Sequence, residues 1–243
     1  MRLATQSDIE QIEAIVNDPR IIEGITNDDS VRPLRAAPWL ENGNFVLVDD
    51  GCCFIAISLG DYRYAVHTNI LPEHPGHAKA RLARDALRYA FVRMPVVEMV
   101  TAVPTNNMPV AAFAGWMGFR FRYERPHVWP KGGHWYGLEF YALGLEEWIE
   151  AGHCQKIGAT FHHRLEELVG RSEHVPDPMH DCYVGAAVEL IQAGQPERAV
   201  AVYNHWARCS GYEEVALVSH DPLVIDIRSR RLKVVDGQLF LGD

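Results

Sequence analysis

The chain has 243 residues, of which 48% are hydrophobic, and its formal net charge is −9 at pH 7. Nucleic-acid binders concentrate Lys and Arg, so we do not expect this acidic chain to bind nucleic acid. No apolar run is long enough to cross a membrane, and the N-terminus lacks the charged-then-apolar pattern of a signal peptide. Five cysteines without paired spacing predict reduced thiols and a cytoplasmic protein.

The twelve histidines do not predict a metal site. His162 and His163 would point about 100° apart on a helix, so they cannot both face one ion. His153-Cys154 and the segment His174…His180-Asp181-Cys182 are better candidates, but neither has a common zinc spacing. We therefore expect no metal.

The first seventy or so residues predict a helix followed by three antiparallel strands. A capping box at Ser7-Asp8-Ile9-Glu10 begins a helix from about 8 to 17, along which isoleucines recur at helical spacing. Residues 18–43 carry three prolines and are expected to be irregular or broken into short helical turns. The strands are expected at 45–48, 52–59 and 62–71, with a hairpin signal at 49–51.

A turn of small residues at 75–80 follows the third strand and opens into an amphipathic helix that ends before Pro95. The free N–H groups of a helix's first turn and the positive end of its dipole point at one place, where an anion binds. Gly76 would let a phosphate approach the backbone closely. This arrangement predicts a phosphate-bearing ligand.

A second turn and helix follow the next strand, which we expect at 96–103. Asn107 is placed to cap the helix, Pro109 lies in its first turn, and Gly118 suits a left-handed residue at its end. Two further strands are expected at 119–124 and 135–143, across a loop containing Gly132 and Gly133.

Composition changes near residue 150. Helical patterns at about 157–170, 178–193 and 196–208 precede short β runs at 215–219, 223–227 and 232–241, the last folded at Asp236-Gly237. A basic cluster of Arg228, Arg230, Arg231 and Lys233 is best explained as a solvated strand edge. We predict two domains, 1–150 and 151–243, the second a smaller helical and β-hairpin unit.

The element order over residues 1–150 resembles that of the GNAT superfamily of acetyl-CoA-dependent N-acetyltransferases. The turn and helix at 72–92 are similar to the family's pyrophosphate loop. Asn107, followed eleven positions later by Gly118-Phe119, is similar to the family's Asn…Gly-Phe signature. The resemblance implies an α+β fold in which helices flank a mostly antiparallel twisted sheet.

Three positions depart from the family pattern. Pro75 stands where Arg or Gln is usual and donates no N–H, and Ala78 stands where Gly is usual and would crowd a phosphate slightly, whereas Ala80 fits. Many members place a tyrosine seven residues after the Asn, where it protonates the departing CoA thiolate. This chain has Ala114 there, which has no proton to donate.

The resemblance implies acetyl-CoA as co-substrate and an amine, on a small molecule or a protein, as acceptor. It places the pantetheine arm against the backbone of one strand and the pyrophosphate on the amides of the turn, with Asn107 as a further ligand contact or simply a helix cap. The residues so implied are Thr68, Asn69 and Ile70 for pantetheine, and Gly76, His77, Ala78, Lys79, Ala80 and Arg81 for the pyrophosphate.

Two residues are candidates for the general base that acetyl transfer needs. His67 has a suitable unperturbed pKa and projects from a central strand, although a hydrogen-bonded, half-buried structural histidine is the alternative. Glu98, on the next strand, is the second candidate. An aromatic cluster either lines an acceptor pocket or packs the last hairpin; it comprises Trp129, Trp135, Tyr136 and Tyr141.

Two functions therefore remain open from the sequence. One is direct transfer of acetyl from acetyl-CoA to a primary amine. The other is a catalytically degenerate GNAT-fold structural or interaction protein, such as a bacteriophage virion component that docks through 151–243. The altered turn and Ala114 favour the second function, whereas the retained turn and helix and the Asn…Gly-Phe element favour the first, which is the leading interpretation. A homo-oligomer or virion proteins are the partners expected for the C-terminal segment.

Overall fold

A computed structural model of the chain describes residues 1–169, 177–212, 214–220, 223–227, 230–235 and 238–242. The chain divides into two compact units, Met1–Leu145 and Glu146–Asp243. Several features discussed from sequence lie outside the described residues, namely His174, Arg228 and the Asp236-Gly237 turn. Among the residues that are described, no helix is both long and apolar enough to cross a membrane.

The first unit is built from a seven-stranded sheet and four helices, as expected for the α+β class. The strands are β1 (Arg2–Leu3), β2 (Phe45–Asp49), β3 (Cys52–Gly60), β4 (Arg63–Ile70), β5 (Glu98–Pro104), β6 (Arg120–Lys131) and β7 (His134–Gly144). The helices are α1 (Ile9–Val16), α2 (Pro19–Ile25), α3 (Gly76–Arg93) and α4 (Met108–Trp116).

The strands follow the order β1-β2-β3-β4-β5-β7-β6 across the sheet. Every neighbouring pair is antiparallel except β4 and β5, which are parallel because α3 crosses between them. This single parallel pair lies at the centre of the sheet, and the site described below is built around it.

Each face of the sheet packs against helices. On one face, Val46, Cys53 and Ile55 form a buried cluster with Ile12 and other side chains of α1 and α2. On the other face, α3 presents a stripe of buried residues that includes Ala83, Leu87, Ala90 and Phe91. The helical spacing of this stripe is the pattern by which the sequence predicted an amphipathic helix.

The start of α1 differs from the sequence prediction. The expected capping box joined Ser7 and Glu10, but the carboxylate of Asp8 instead accepts a hydrogen bond from the Thr5 amide at 2.8 Å. Arg2 donates to both oxygens of Asp8, at 2.8 and 2.6 Å, and holds the pKa of this carboxyl well below its usual range. Thr5-Gln6-Ser7-Asp8 and Ser7-Asp8-Ile9-Glu10 both fit the capping-box motif. The structure forms the first of these, and its carboxylate also binds Arg2.

The last hairpin of the first unit is longer than expected. The sequence placed a loop between Glu124 and Trp135, whereas β6 runs to Lys131 and turns through Gly132 and Gly133, both with positive φ. An irregularity in the pairing lies between Arg125 and Trp129. At this irregularity β6 has more residues than the facing part of β7. The alternation of apolar and polar residues is interrupted there, so the sequence did not reveal the whole strand.

The second unit contains helices and an antiparallel sheet. Its elements are α5 (Leu145–Glu150), α6 (Gln155–Val169), α7 (Pro178–Gln192), α8 (Pro196–Ser210), β8 (Ala216–His220), β9 (Leu223–Ile227), β10 (Arg230–Val235) and β11 (Gln238–Gly242). The four strands pair in chain order as a meander. The Asp177 carboxylate caps α7 by accepting hydrogen bonds from the amides of Met179 and His180.

Candidate functional site

The central parallel pair of strands separates part-way along its length. β4 and β5 pair only at Arg63↔Glu98, Tyr64↔Met99 and Ala65↔Val100. β4 continues to pair with β3 as far as Ile70, and β5 continues to pair with β7 as far as Pro104. Beyond Ala65 the two strands therefore diverge and leave a gap within the sheet. In the described part of the chain no strand fills it.

The helix that follows β4 begins with an open N-terminus. α3 starts at Gly76, and a methyl group added there would meet no atom within 4 Å. Gly76 and His77 are exposed to solvent. Among the described residues nothing therefore fills the space beside Gly76 at the helix start, which is what an anion on the helix dipole requires.

The geometry narrows the set of amides that can face a ligand. The amides of Ala78 and Lys79 both donate to the Pro75 carbonyl, at 2.9 and 3.1 Å. Those of Ala80 and Arg81 lie within the helix, where amides bond to the residue four earlier. The predicted set from Gly76 to Arg81 therefore reduces to Gly76 and His77 as outward-pointing amides, with the later residues contributing through the dipole and their side chains.

Positive charge concentrates on α3 although the whole chain is acidic. The helix carries five Lys or Arg residues and one Asp. Arg81 and Arg84 are exposed, and the Arg84 guanidinium lies 5.6 Å from the ring centre of Trp116 on α4. An anionic ligand would therefore meet a locally basic surface.

His67 lies on β4 two residues past the last pairing with β5. It is directly opposite Ile55 and so faces the α1 side of the sheet. Its side chain is accessible to solvent, yet the surrounding protein desolvates the ring enough to lower its pKa. A lowered pKa keeps the imidazole neutral and able to accept a proton at neutral pH.

Glu98 lies at the other end of the strand pair. It is opposite Arg63, whose guanidinium donates to its carboxylate at 2.7 Å. Four residues of extended strand, about 13 Å, separate this level from His67. The structure therefore does not bring the two candidate bases together, and only His67 lies in the diverging part of the strands.

The residues predicted to contact pantetheine lie along the gap. Thr68, Asn69 and Ile70 occupy β4 beyond its last pairing with β5. The Asn69 side chain is buried, and its amide nitrogen lies 3.9 Å from the Cys53 sulfur. Thr68 is exposed. Their backbone on the β5 side is the part of this strand that a ligand would reach.

The residues predicted to flank α4, one before it and one after it, take the expected positions. Asn107 immediately precedes the helix, but its side chain makes no capping hydrogen bond, and its carbonyl instead accepts from Val110 and Ala111. Gly118 has φ +95°, as expected for a left-handed residue after the helix. Ala114 is buried in α4, so no side chain at that position can protonate a leaving group.

The aromatic cluster predicted from sequence is divided between the two faces of the sheet. Neighbours two apart on β7 share a face, so Tyr136 lies opposite to both Trp135 and Tyr141. The Trp135 side chain is 61% exposed. The Tyr141 hydroxyl donates to Glu139 at 2.6 Å, which raises its pKa to about 12. The four residues do not form one pocket wall.

Sequence reasoning missed an aromatic pair on the His67 side of the sheet. Phe140 is opposite Ala102 on β5, which puts it on the same face as Ala65 and His67. Its ring stacks on that of Tyr123 with centroids 4.6 Å apart, and the Arg125 guanidinium lies 5.6 Å from the Phe140 centroid. The alternation of Tyr136, Leu138 and Phe140 on one face was the signal that could have indicated it.

Comparison with solved structures shows which fold this is. The structure of a point mutant of the spermidine N-acetyltransferase SpeG from Vibrio cholerae matches over 62% of this chain and 97% of its own, with 14% identity and a TM-score of 0.50. The first unit has the GNAT fold. The gap between β4 and β5, with α3 after it, is the part of this fold in which the candidate residues lie.

Other solved structures align with the GNAT unit less closely. A ribosomal-protein-alanine N-acetyltransferase from Brucella melitensis matches over 59% of this chain and 98% of its own, at 19% identity and a TM-score of 0.47. No family model matches the chain. No curated protein matches it either.

Proposed function

We propose that this chain is an N-acetyltransferase that moves an acetyl group from acetyl-CoA directly to a primary amine. The observation that carries the proposal is the divergence of β4 and β5 beyond Ala65, directly before a helix whose N-terminus is open at Gly76. One groove thus offers an unpaired strand edge for an extended amide-containing arm and a positive helix end for a diphosphate. A CoA thioester has both parts.

The ligand would complete the hydrogen bonding of the sheet. The pantetheine arm contains amide groups, so it can lie along Thr68–Ile70 as a neighbouring strand would. The diphosphate would then accept hydrogen bonds from the amides of Gly76 and His77. The basic surface of α3 would attract the remaining phosphate charge, with Lys79 nearest to the helix start and Arg81 in the second turn.

His67 is the proposed general base. The amine nitrogen attacks the thioester carbonyl carbon, and the nitrogen gives up a proton to the neutral imidazole as the tetrahedral intermediate forms. The intermediate collapses by breaking the carbon–sulfur bond, which leaves an N-acetylated product and the CoA thiolate. No covalent intermediate on the protein is needed.

The leaving thiolate has no tyrosine to protonate it at position 114. A thiolate is a far better leaving group than an alkoxide and is stable in water, so it can depart unprotonated and take a proton from solvent. His67 returns its proton to solvent through its accessible ring. The departure from the family pattern would therefore slow the reaction without preventing it.

The acceptor would approach on the α1 side of the sheet, where His67 faces. The stacked pair Tyr123 and Phe140 lies on that face and provides an aromatic surface suited to an amine-bearing chain. Spermidine, the amine in the name of the Vibrio cholerae neighbour, is the first acceptor to test.

Calorimetric titration with acetyl-CoA tests the binding step with a matched pair of variants. Gly76→Asp and Gly76→Asn have nearly the same shape and differ by one negative charge. The added side chain meets open space, and Gly76 is not among the glycines with positive φ, so both variants should fold. We expect the Asp variant to bind acetyl-CoA at least about tenfold more weakly than the Asn variant, a difference of about 1.4 kcal/mol.

The same titration separates the enzyme from the structural module. Micromolar binding to the unaltered chain, weakened by the Asp variant, supports the proposal. No binding at millimolar acetyl-CoA would overturn it and favour a GNAT-fold protein that serves as an interaction module. If acetyl-CoA binds but no CoA thiol is released with spermidine or with a panel of other amines, the proposed ligand stands and the proposed acetyl transfer is wrong.

A further inference from the structure

Three side chains that commonly bind metal ions converge in the second unit. His162 lies on α6, and His180 and Asp181 lie in the first turn of α7. One ligand atom from each of these residues lies within 4.8 Å of the other two. His180 and Asp181 are buried and His162 is nearly so. The cluster belongs to no part of the proposed acetyl-CoA groove, which lies in the first unit.

Two glycines explain why these side chains meet. A methyl group at Gly158 on α6 would overlap the carbonyl oxygen of Asp181, and one at Gly185 on α7 would overlap the carbonyl of Cys154. The backbones of the two helices are therefore in direct contact. His162 follows Gly158 by one turn on the same face, and its side chain leans back toward the helix N-terminus, where Asp181 lies.

The distances suit a metal better than a hydrogen bond. His162 Nε2 and Asp181 Oδ1 are 3.6 Å apart, which exceeds the 2.7–3.2 Å range of good hydrogen bonds. Ligand atoms about 2.0–2.2 Å from a tetrahedral Zn²⁺ lie about 3.4 Å from one another. The three ligand atoms lie within 4.8 Å of one another, so they would have to move closer together to bind the ion.

The surroundings hold His180 in one orientation. Its ring lies 5.0 Å from that of Tyr212 at an interplanar angle of 8°, and 4.8 Å from that of Trp206. The Asp177 carboxylate accepts hydrogen bonds from the His180 amide and the Tyr212 hydroxyl. Apolar rings around a ligand fix its direction and exclude water, which strengthens metal binding.

We propose that His162, His180 and Asp181 form a binding site for a divalent transition-metal ion, with Zn²⁺ as the best match. Two imidazoles and one carboxylate are a donor set that Zn²⁺ takes, and the fourth position is filled by a water or another donor. The ion joins α6 to α7 at the point where their backbones touch. Its role is to stabilise the helical unit.

His180 and Asp181 lie in one of the two segments that the sequence singled out as better metal candidates, which were set aside because neither has a common zinc spacing. His163 is exposed whereas His162 is not, so only His162 of that adjacent pair belongs to the cluster. His180 and Asp181 are also adjacent on a helix, yet their ligand atoms lie within 4.8 Å of each other. The partners of His162 come from another helix, 18 and 19 positions later in the chain. That proximity depends on how the helices pack and has no spacing motif.

Zn²⁺ titration of the full-length, tag-free chain after chelator treatment tests the proposal. A Cys209→Ser background removes an exposed thiol that could bind Zn²⁺ on its own. We expect one Zn²⁺ per chain, and at 100-fold excess over Kd a drop of about 100-fold in the unfolding equilibrium constant. His162→Ala and Asp181→Asn should each weaken binding at least about 100-fold. His163→Ala is the matched control and should leave binding unchanged.

A spectroscopic measurement on the unaltered protein does not depend on whether the variants fold. Co²⁺ substituted for Zn²⁺ in the unaltered protein should give the visible absorption of a four- or five-coordinate nitrogen and oxygen site. No stoichiometric binding of Zn²⁺ to the unaltered chain overturns the proposal, as does binding that His163→Ala weakens as much as His162→Ala. In either case His162 and Asp181 are only a buried pair of polar side chains.

Discussion

His67 is exposed to solvent as a whole residue, and the protein around its imidazole still desolvates the ring. Desolvation disfavours the imidazolium and lowers the pKa. The neutral form then predominates at pH 7, which is the form that a general base needs. The position of the residue, two beyond the last pairing of β4 with β5, puts this chemistry where the thioester would lie.

The titration of His67 can be measured without knowing the acceptor. We expect its ring resonance in the NMR spectrum to report a pKa below the ordinary 6.5, with His67→Gln used to assign the signal. The folded state resists protonation of this ring, so its contribution to stability is present above pH 6.5 and diminishes as the pH falls below that value. A pKa above 6.5 would mean that a nearby carboxylate, and not desolvation, controls the ring, and would remove the basis for its assigned role.

At the scale of elements, local signals account for most of what the sequence predicted correctly. The hairpin between β2 and β3 follows from a glycine turn, and the end of α4 follows from Gly118 at positive φ. These features depend on residues within a few positions of one another. The divergence of β4 and β5 has no such signal, because no residue type marks where two neighbouring strands part.

The same distinction between local signals and strand pairing applies to the candidate site. His67 and Gly76 were proposed because each belongs to a local pattern, a strand in one case and the start of a helix in the other, and the structure places each in that element. Glu98 was proposed because it lies on the adjacent strand, but register places it at the paired end with Arg63. Register between parallel strands is set by the crossover helix and the packing around it, so sequence could not supply it.

The contact between α6 and α7 leads to a prediction about glycine substitutions. Gly158→Ala should destabilise the helical unit by about 1–3 kcal/mol, because the new methyl group meets backbone that cannot rotate away. Hydrogen exchange measured separately for each helix should show faster exchange in α6 and α7.

A control substitution should change stability in the opposite direction. Gly24 lies in α2, and a methyl group there meets nothing within 4 Å. Gly24→Ala should therefore stabilise the protein by about 0.5–1 kcal/mol through the helix propensity of alanine. If both variants behaved alike, the helices would not be in the close contact described here.

At the scale of the whole molecule, charge is distributed unevenly. The chain carries a formal charge of −9, yet α3 has five basic residues against one acidic residue. A net negative charge disfavours polyanions, whereas a basic helix gives a local attraction for a small phosphorylated ligand. This distribution is what a protein needs if it is to bind a nucleotide thioester without binding polynucleotides.

Thiol reactivity reports on the integrity of both units at once. Cys52, Cys53, Cys154 and Cys182 are buried and Cys209 is exposed. Desolvation also raises the pKa of both Cys52 and Cys53 to about 12, so neither forms the reactive thiolate at pH 8. A chromogenic disulfide reagent should modify one thiol of five rapidly in the native protein and all five after denaturation.

The identity of the fast thiol provides the check on this prediction. Cys209→Ser should abolish the rapid phase and leave the slow one unchanged. A second rapid thiol in the native protein would show that one of the buried cysteines is transiently uncovered.

Over its last residues β4 is paired on its β3 side, whereas no described neighbouring strand pairs with its β5 side. A bound thioester would supply that neighbour, so part of the folding cooperativity of this unit would come from a metabolite. The lifetime of the protein against proteases in a cell would then follow the local supply of acetyl-CoA, with the chain most vulnerable when acetyl groups are scarce.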